Sequence, residues 1–327
     1  VIPARLAMVP LKILVSAGEA SGDHYCASLV AELARRLPGT EFFGCAGPRM
    51  RAAGVRQVVD AGTLSVVGLV EVVRHIPRIY REFRKIVESA RREVPDLAIL
   101  TDSPDFHLRL APRLKALGVP VVYLVAPQAW AWRSGRARQL KCNTDRLLCI
   151  FPFEENFFRG RGVSAEYIGH PLARLVKPSL RKTDFFSRHE LPEDARLVCL
   201  LPGSRHGEAL RHIPDLFDAV ARLRHRPGIR FVLALPAGFW AGKEAELKRL
   251  AGDLPVKIVI GETWDAIAHA ELALAASGTV TIEAAVLGTP MVTFYKVNGA
   301  SWFLGRRLVK VPFLSIVNLV AGRAIVA

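Results

Sequence analysis

The sequence lacks the signatures of several common functional classes. It has no C-x-x-C pair and no histidines at zinc-finger spacing, so we expect buried free thiols in a reducing compartment and no zinc site. No apolar run approaches the roughly 18 residues of a membrane-spanning helix. The opening VIPARLAMVP is too weakly patterned for a signal peptide, and Met8 is the expected natural start, with residues 1–7 foreign to the native chain. The cysteines lie at positions 26, 45, 142, 149 and 199.

Two nucleotide-binding motifs are also absent. Neither G-x-G-x-x-G nor G-x-x-x-x-G-K-[ST] occurs anywhere, so NAD chemistry and P-loop ATP chemistry lack their signatures. Neither an RNA-binding aromatic motif nor a helix-turn-helix pattern stands out. We therefore predict no bound cofactor and no nucleic-acid partner.

The composition is that of a folded protein with a strong positive charge. At 327 residues the chain suits two domains of about 150 residues each. Hydrophobic residues make up 51% and the mean hydropathy is +0.24, enough to form large cores. The 45 Lys and Arg against 30 Asp and Glu give a net charge of +15, which favours an anionic partner such as phospholipid headgroups or a phosphorylated substrate.

Short β-rich runs alternate with longer segments of helical period, a pattern typical of parallel sheets built from βα units. The alternation restarts after a polar stretch at 169–195. The sequence therefore predicts an α/β fold of two Rossmann-like, doubly wound domains, residues 1–172 and 173–327, facing a cleft. Predicted strands cover 11–16, 41–45, 97–101, 120–126, 145–150, 196–201, 229–235, 256–260 and 271–275, and predicted helices cover 21–37, 105–117, 206–225 and 279–287.

Ligands bind such sheets where a strand leads through a tight turn into a helix, and ASGTVTIE (276–283) is one such turn. Ser277, Gly278 and Thr279 supply hydroxyls and an open backbone where helical N–H groups lack partners, which suits a phosphate. An ordinary helix cap is the alternative. If Thr279 is the cap, Glu283 lies one position beyond a capping box, and its carboxylate is expected to be free for a ribose diol.

A second turn of this kind, LPGSRHGE (201–208), follows another predicted strand. Gly203 and Ser204 lie in the turn, and Arg205 stands just before the next helix, where its guanidinium can hold phosphate oxygens in a forked geometry. A surface arginine is the alternative interpretation. Two phosphate-type turns in one half of the chain favour a bound phosphate.

In the first half, SAGEASGDH (16–24) connects a predicted strand to a helix. Gly18, Glu19, Ser21 and Gly22 lie in a flexible loop that could face a ligand across the cleft. The alternative is a plain turn in which Ser21 or Asp23 caps the helix that follows, and we expect this capping role of Asp23.

Another first-half turn, LTDSPDF (100–106), places Asp102 at the tip of a predicted strand. A carboxylate there could act as a general base, and a second helix cap is the alternative. Asp105 follows a proline and is expected to cap or open the next helix. His170, in the predicted hinge, is expected to have a structural role.

The segment 65–92 combines apolar residues at helical spacing with dense positive charge. We predict an amphipathic helix whose apolar stripe, including Ile76, Tyr80 and Phe83, packs on the sheet and leaves a basic face in solvent. A basic amphipathic segment also suits an anionic membrane surface. The residues expected to face a membrane or an acceptor are Val66, Val67, Leu69, Val70, Val73 and Arg74.

Seven stretches, weak individually but specific together, resemble the lipid-A-disaccharide synthase family, glycosyltransferases of the two-domain GT-B type. They occur in the family's order and span nearly the whole chain. They are SAGEASGD (16–23), TDSPDF (101–106), QAWAWR (128–133), YIGHPL (167–172), LLPGSR (200–205), ASGTVTIE (276–283) and SIVNLVAGR (315–323).

The resemblance implies transfer of 2,3-diacylglucosamine from its UDP donor to the 6-hydroxyl of 2,3-diacylglucosamine 1-phosphate, with inversion to a β-1,6 link. Asp102 falls at the position proposed as the base. Arg205, the turn at 277–279 and Glu283 would hold the UDP, and Asn318 would lie near the donor. Since no Asp-x-Asp pair is present, the departing UDP would be stabilised by backbone N–H groups and Arg205 in place of a metal ion.

Both implied substrates are anionic and acylated, which implies a cytoplasmic protein, peripheral on the inner face of the inner membrane. A homodimer is a further expectation. The family continues after GRAIV with Pro-Glu and a longer tail, so the chain is expected to be truncated at Ala327. Two alternatives stay open: another GT-B enzyme of UDP-GlcNAc, and a non-catalytic basic protein that binds nucleotide sugars or membranes.

Overall fold

A computed structural model describes residues 10–64, 69–131, 135–203, 206–296, 312–313 and 315–327, with the backbone alone for 69–75, 238 and 239. The chain divides into two compact units between Gly169 and His170, whereas the sequence predicted a boundary after residue 172. At this division, Leu172 donates its backbone N–H to His170 Nδ1 over 3.2 Å. Burial lowers the pKa of His170 to about 4, so its ring is neutral at physiological pH.

The first unit is a parallel sheet in the order β3-β2-β1-β4-β5-β6-β7, with helices in the connections. Parallel strands covered by helices are buried on both faces, which accounts for the apolar runs in this half. Its strands are β1 Lys12–Ala17, β2 Glu41–Ala46, β3 Arg56–Asp60, β4 Leu97–Thr101, β5 Val121–Leu124, β6 Arg146–Cys149 and β7 Ala165–Tyr167. Its helices are α1 Ala20–Arg36, α2 Pro48–Ala52, α3 Leu69–Glu93, α4 Pro104–Ala116, α5 Arg136–Asn143 and α6 Pro152–Arg159.

The second unit is a parallel sheet in the order β10-β9-β8-β11-β12, again with connecting helices. Its strands are β8 Arg196–Leu201, β9 Ile229–Leu235, β10 Val256–Ile260, β11 Leu272–Ala276 and β12 Met291–Phe294. Its helices are α7 Leu172–Leu175, α8 Lys182–Arg188, α9 His206–Leu223, α10 Ala237–Trp240, α11 Glu244–Ala251, α12 Thr263–Ala268, α13 Thr279–Val286 and α14 Ile316–Ala321.

Every strand predicted from the sequence is a strand in the structure, but β3, β7 and β12 were missed. All three are edge strands. An edge strand has a single neighbour and needs less apolar surface, so RQVVD, AEY and MVTF give a weaker hydrophobic signal than the central strands. Helix prediction was accurate to within two residues at each end for α1, α4, α9 and α13.

Each sheet contributes to a hydrophobic core of its own unit. Phe43, Leu100 and Tyr123 are buried in the first core, and Phe231 and Trp240 are buried in the second. Cysteines 26, 45, 149 and 199 are buried as expected, but Cys142 is exposed near the end of α5. The prediction of buried thiols is therefore wrong for Cys142, which lies on the outward side of a helix that covers the sheet.

Asp23 does cap a helix, but not the one predicted. It lies inside α1, and its carboxylate accepts backbone N–H groups from Gly47 at 2.9 Å, Arg49 at 3.0 Å and Met50 at 3.0 Å. These donors belong to the first turn of α2 and the residue before it, where N–H groups have no helical partner. The buried carboxylate therefore fixes the β2–α2 turn against α1.

Helix α3 is amphipathic, but its apolar stripe is wider than the face that packs on the sheet. Val87 is buried, and Phe83 packs edge-on against Phe106 with ring centroids 5.7 Å apart. Ile76 and Tyr80, predicted to face the sheet, are 53% and 60% exposed. Both residues lie in the first half of α3, whereas the contact with Phe106 is made by Phe83, farther along the helix.

The predicted membrane-facing residues fall at the start of this helix. Val66 and Val67 lie outside the described residues. Leu69, Val70, Val73 and Arg74 belong to the first turns of α3, where the backbone is described. Among the helices that the structure describes, none combines the length and the apolar character needed to cross a bilayer.

We predict that Asp23→Ala lowers the free energy of unfolding of the first unit by about 2 kcal/mol, because it leaves three backbone donors without a partner. Urea denaturation followed by circular dichroism measures the change. Asp60→Ala is the matched control, since the Asp60 carboxylate accepts an exposed bond from Gly62 N at 2.8 Å. Equal effects of the two substitutions would contradict the capping role of Asp23.

Candidate active site

The turns after β1 and β4 lie side by side, because these strands are parallel neighbours with Ala17 paired to Thr101. Asp102 follows β4 directly and has a φ of +52°, and the next residue, Ser103, has a φ of +35°. This left-handed conformation costs about 1 kcal/mol or more for a residue with a side chain. Strain of this kind is held in place by surrounding contacts and is concentrated at functional sites.

The carboxylate of Asp102 supplies the first set of contacts. Its Oδ1 accepts the backbone N–H of Gly18 at 2.7 Å, and its Oδ2 accepts that of Glu19 at 3.1 Å. A Cβ on Gly22 would lie 1.8 Å from Oδ2, and a Cβ on Gly18 would lie 2.2 Å from Ser103 Oγ. The two glycines are therefore required by close approach of the turns.

The structure thus brings Gly18, Glu19 and Gly22 of the predicted loop to Asp102. Ser21, the fourth predicted residue, lies half-buried in the first turn of α1. Asp105 opens α4, as predicted, and pairs with Arg136 at 2.9 Å. Asp102 is the carboxylate of this turn that points at the β1–α1 loop, whereas Asp105 is largely exposed.

The environment of Asp102 changes its acidity. Burial raises the pKa of Asp102 well above its usual range, and the neighbouring Glu19 carboxylate raises it further, while the N–H groups of Gly18 and Glu19 partly oppose the shift. A carboxylate with a raised pKa is a stronger base than an exposed one. The burial and contacts of Asp102 are therefore compatible with the predicted role of general base.

Sequence reasoning missed three buried polar residues around Asp102. The carbonyl oxygen of Asp102 accepts the hydroxyl of Tyr123 at 2.7 Å and lies 2.9 Å from His107 Nδ1. The other ring nitrogen, Nε2, lies 2.7 Å from Ser16 Oγ. A signal was present in the sequence, since Ser16 ends an apolar strand and His107 occupies the apolar face of α4.

In the second unit, the turn at 277–279 leads from β11 into α13. Gly278 is the N-cap and Thr279 is the first helical residue, so the predicted cap at Thr279 is displaced by one residue. The N–H of Ser277 donates to Phe294 O at 2.8 Å, which fixes the turn to β12. Among the described residues, no atom lies within 4 Å of the position that a Cβ on Gly278 would take, so the described part of the second unit leaves space beside this glycine.

Glu283 has a protein donor that the sequence did not predict. Its Oε2 accepts the indole N–H of Trp264 at 3.0 Å, and the contact of its carboxylate with a ribose diol stays a prediction. Trp264 lies on α12, which packs beside α13. A capping box involves the residues of α13 alone, so its spacing could not predict this contact. A carboxylate can accept several hydrogen bonds, so the Trp264 bond orients Glu283 and is compatible with a second donor.

The β8–α9 turn contains Gly203, which has a φ of +109°. This is a conformation that favours glycine. Just before it, the carbonyl oxygen of Pro202 lies 2.8 Å from His212 Nδ1, and His212 Nε2 accepts the N–H of Lys296 at 3.1 Å. His212 therefore ties the β8–α9 turn to the residues after β12. Ser204 and Arg205 lie outside the described residues.

Asn318 is buried and anchors the final residues of the chain. Its Oδ1 accepts the N–H groups of Ile325 at 2.8 Å and Val326 at 2.9 Å, and its Nδ2 donates to Val326 O at 3.0 Å. The sequence did not predict this role, and the position of Asn318 near the donor stays a prediction. The Asn318 amide holds the segment that pairs with β12, where Thr293 N donates to Ala327 O at 2.7 Å.

The QAWAWR stretch connects to a buried carboxyl group. Trp130 Nε1 donates to Glu154 Oε1 at 2.9 Å, and Glu154 Oε2 accepts the N–H groups of Ile150 and Phe151 at 3.1 Å each. Burial raises the pKa of Glu154 to about 7, although these three donors oppose the shift. Over the described ranges, no three His, Cys, Asp or Glu side chains are grouped as metal ligands.

We predict that Glu154 makes the stability of the first unit pH-dependent. The folded pKa of about 7 exceeds the ordinary value of 4.5, so the stabilisation is complete below pH 4.5 and is lost as the pH rises to about 7. The unfolding free energy should fall by about 2 to 3 kcal/mol more between pH 5 and pH 8 in the parent than in Glu154→Gln.

Urea denaturation at several pH values measures this difference. Glu155→Gln is the control, because Glu155 pairs with Arg159 at the helix surface and its loss should leave the parent's pH dependence in place. The same pH dependence in Glu154→Gln and the parent would show that Glu154 is not the titrating group.

Solved structures share the fold at low sequence identity. The UDP-GlcNAc 2-epimerase from Neisseria meningitidis, solved bound to UDP-GlcNAc, has a TM-score of 0.65 at 11% identity, over 95% of this chain and 90% of that chain. The glycotransferase of kitacinnamycin has a TM-score of 0.56 at 17% identity, over 95% and 89%. At these identities the likeness shows the fold alone, and the predicted GT-B fold class is confirmed.

The sequence comparisons are more specific. A family model described as Lipid-A-disaccharide synthetase matches residues 13–327. The Lipid-A-disaccharide synthase of Solibacter usitatus (strain Ellin6076) is 62% identical over 96% of this chain and 82% of its own. That of Myxococcus xanthus (strain DK1622) is 45% identical over 97% and 83%. The chain therefore belongs to the lipid-A-disaccharide synthetase family and is a glycosyltransferase of lipid A biosynthesis.

Proposed function

We propose that the protein transfers 2,3-diacylglucosamine from UDP to the 6-hydroxyl of 2,3-diacylglucosamine 1-phosphate, forming a β-1,6 disaccharide 1-phosphate and UDP. Family membership supports the reaction class. The observation that carries the assignment of roles is the Asp102 carboxylate, buried at the end of β4 and held by two backbone N–H groups.

In this proposal Asp102 is the general base. As the acceptor 6-oxygen attacks the anomeric carbon of the donor sugar, Asp102 takes the hydroxyl proton, and the bond to UDP breaks with its electron pair leaving on the phosphate. Attack opposite the leaving group inverts the anomeric centre. An alcohol needs such a base because it is a weak nucleophile while it retains its proton. The raised pKa of Asp102 makes its carboxylate a stronger proton acceptor than an exposed aspartate.

The donor is assigned to the second unit. The N-terminus of α13 presents backbone N–H groups beside an open Gly278, and helix N-termini favour phosphate oxygens. Arg205 follows the β8–α9 turn in sequence and would neutralise the pyrophosphate as it departs. Glu283, oriented by Trp264, would accept from a ribose hydroxyl, and no metal ion is needed.

The acylated substrates and an anionic membrane surface are assigned to the first and middle turns of α3. Ile76 and Tyr80 are exposed there, and Arg81 and Arg84 lie on the same exposed stretch with side chains more than 60% accessible. Exposed apolar residues flanked by arginines suit a peripheral contact with anionic lipid. A homodimer and a cytoplasmic, inner-membrane location stay predictions.

Asp102→Asn should lower turnover by about 100- to 10,000-fold, the usual contribution of a general base. Release of UDP and formation of the disaccharide measure the change. The parent's kcat/KM should also fall as the pH drops through the raised pKa of Asp102, because the protonated carboxyl cannot accept a proton. Asp105→Asn, which alters an exposed carboxylate three positions on, should retain the parent's turnover. Unchanged turnover in Asp102→Asn would remove Asp102 from the chemistry.

Arg205→Ala should raise the KM for the UDP-sugar roughly 10- to 100-fold, as expected for loss of a charge-assisted phosphate contact. Initial rates at varied donor concentration measure it. Arg226→Ala, an exposed arginine in the turn before β9, is the control and should leave KM unchanged. A parent-like KM in Arg205→Ala would place the pyrophosphate elsewhere.

A further inference from the structure

His107 is fully buried on α4 and its ring joins two strand ends. Nδ1 lies 2.9 Å from the carbonyl oxygen of Asp102, just after β4, and Nε2 lies 2.7 Å from Ser16 Oγ in β1. Beyond Ser16, the same chain supplies the Gly18 N–H that binds the Asp102 carboxylate at 2.7 Å. The contacts form a closed ring that passes through both the backbone and the side chain of Asp102.

The chemistry of these partners fixes the state of the imidazole. A carbonyl oxygen can only accept, so Nδ1 carries the proton and donates to Asp102 O. Nε2 is then unprotonated and accepts from the Ser16 hydroxyl. Burial lowers the pKa of His107 to about 4, which keeps this neutral tautomer at physiological pH.

The carbonyl of Asp102 matters because its residue is strained. At a φ of +52° the backbone has an alternative, lower-energy right-handed conformation. Two donors, His107 Nδ1 and the Tyr123 hydroxyl at 2.7 Å, fix the direction of the carbonyl and hence the peptide plane. The carbonyl and the Cβ of Asp102 turn together about the N–Cα bond, so a change of φ to the right-handed region would break these two bonds and move the carboxylate away from Gly18 and Glu19.

We propose that His107 is a positioning residue for the reaction: its Nδ1–H bond to the Asp102 carbonyl holds the Asp102 backbone in the left-handed conformation that aims the carboxylate. The inference rests on the proposed role of Asp102 as base. His107 has no assigned contact with substrate, and it acts through the geometry of the Asp102 peptide.

Two substitutions separate this role from general packing. His107→Phe keeps a ring of similar shape in the core but removes both hydrogen bonds. His107→Asn loses more volume, yet its Nδ2 can stand where Nδ1 stood and donate to Asp102 O. If His107 acts by positioning, His107→Phe lowers kcat about 10- to 100-fold, because a displacement of the Asp102 carboxylate by about 1 Å or less has an effect of this size. KM should change less than about 2-fold. His107→Asn should stay within about 5-fold of the parent kcat.

A double-mutant cycle gives a measurement that distinguishes positioning of Asp102 from a general contribution of His107 to core packing. The variant carrying both His107→Phe and Asp102→Asn should be no slower than Asp102→Asn, since a positioning residue has no effect once its target is lost. A further drop of the size seen in His107→Phe alone would overturn the proposal. So would equal losses of kcat in His107→Phe and His107→Asn.

A crystal structure of His107→Phe tests the geometry without turnover. We expect Asp102 to leave the left-handed region and its carboxylate to lose the Gly18 N–H. An unchanged Asp102 conformation would overturn the inference even if the parent is active. This experiment also separates the inference from the proposed function. An inactive parent would remove the role of Asp102 as base, whereas the structure of His107→Phe would still show whether His107 holds the Asp102 backbone.

Discussion

The site in the first unit depends on one carboxylate bound by the backbone of a neighbouring turn. Asp102 accepts N–H groups from Gly18 and Glu19, so the turns after β1 and β4 behave as a single element. The approach is so close that Gly22 has no room for a side chain. Burial and the Glu19 carboxylate raise the pKa of Asp102, and the same contacts that position this group therefore also set its basicity.

In the second unit, a buried histidine also connects the ends of two strands. His212 on α9 is buried, donates from Nδ1 to the carbonyl of Pro202 and accepts at Nε2 from Lys296 N. His107 makes the equivalent pair of contacts in the first unit. In both cases an imidazole joins the end of one strand to another across the sheet. Such contacts hold a loop rigidly on its scaffold, which is what precise placement of reacting groups requires.

The fold could be predicted from the sequence to a large extent because strand and helix periods follow from burial. Central strands such as β4 and β8 are continuous apolar runs, and the turns after them were identified as candidate sites. Three of the four edge strands of the described sheets, β12 among them, were missed because an edge strand needs less apolar surface, whereas the fourth, β10, was predicted. Side-chain partners across the fold were not predictable, and Trp264 on Glu283 is an example. Spacing within one helix carries no information about a residue on another.

Gly18 and Gly22, at the β1–α1 turn, show the same limit of prediction from sequence. Gly18 and Gly22 were interpreted as giving flexibility to a loop, whereas close packing against Asp102 and Ser103 accounts for both. Asp23 was expected to cap α1, but its carboxylate caps α2, which is distant in sequence. Residue type indicated what each group could do, and the parallel pairing of β1 with β4 determined which groups met.

Turnover of Gly22→Ala beside Gly135→Ala tests the account most directly. A Cβ at Gly22 would lie 1.8 Å from Asp102 Oδ2, whereas one at Gly135 would meet no atom of the described residues within 4 Å. The account predicts that folded Gly22→Ala loses turnover by about 100-fold while Gly135→Ala matches the parent. Parent-like turnover in folded Gly22→Ala would contradict the claim that the position of the Asp102 carboxylate governs catalysis.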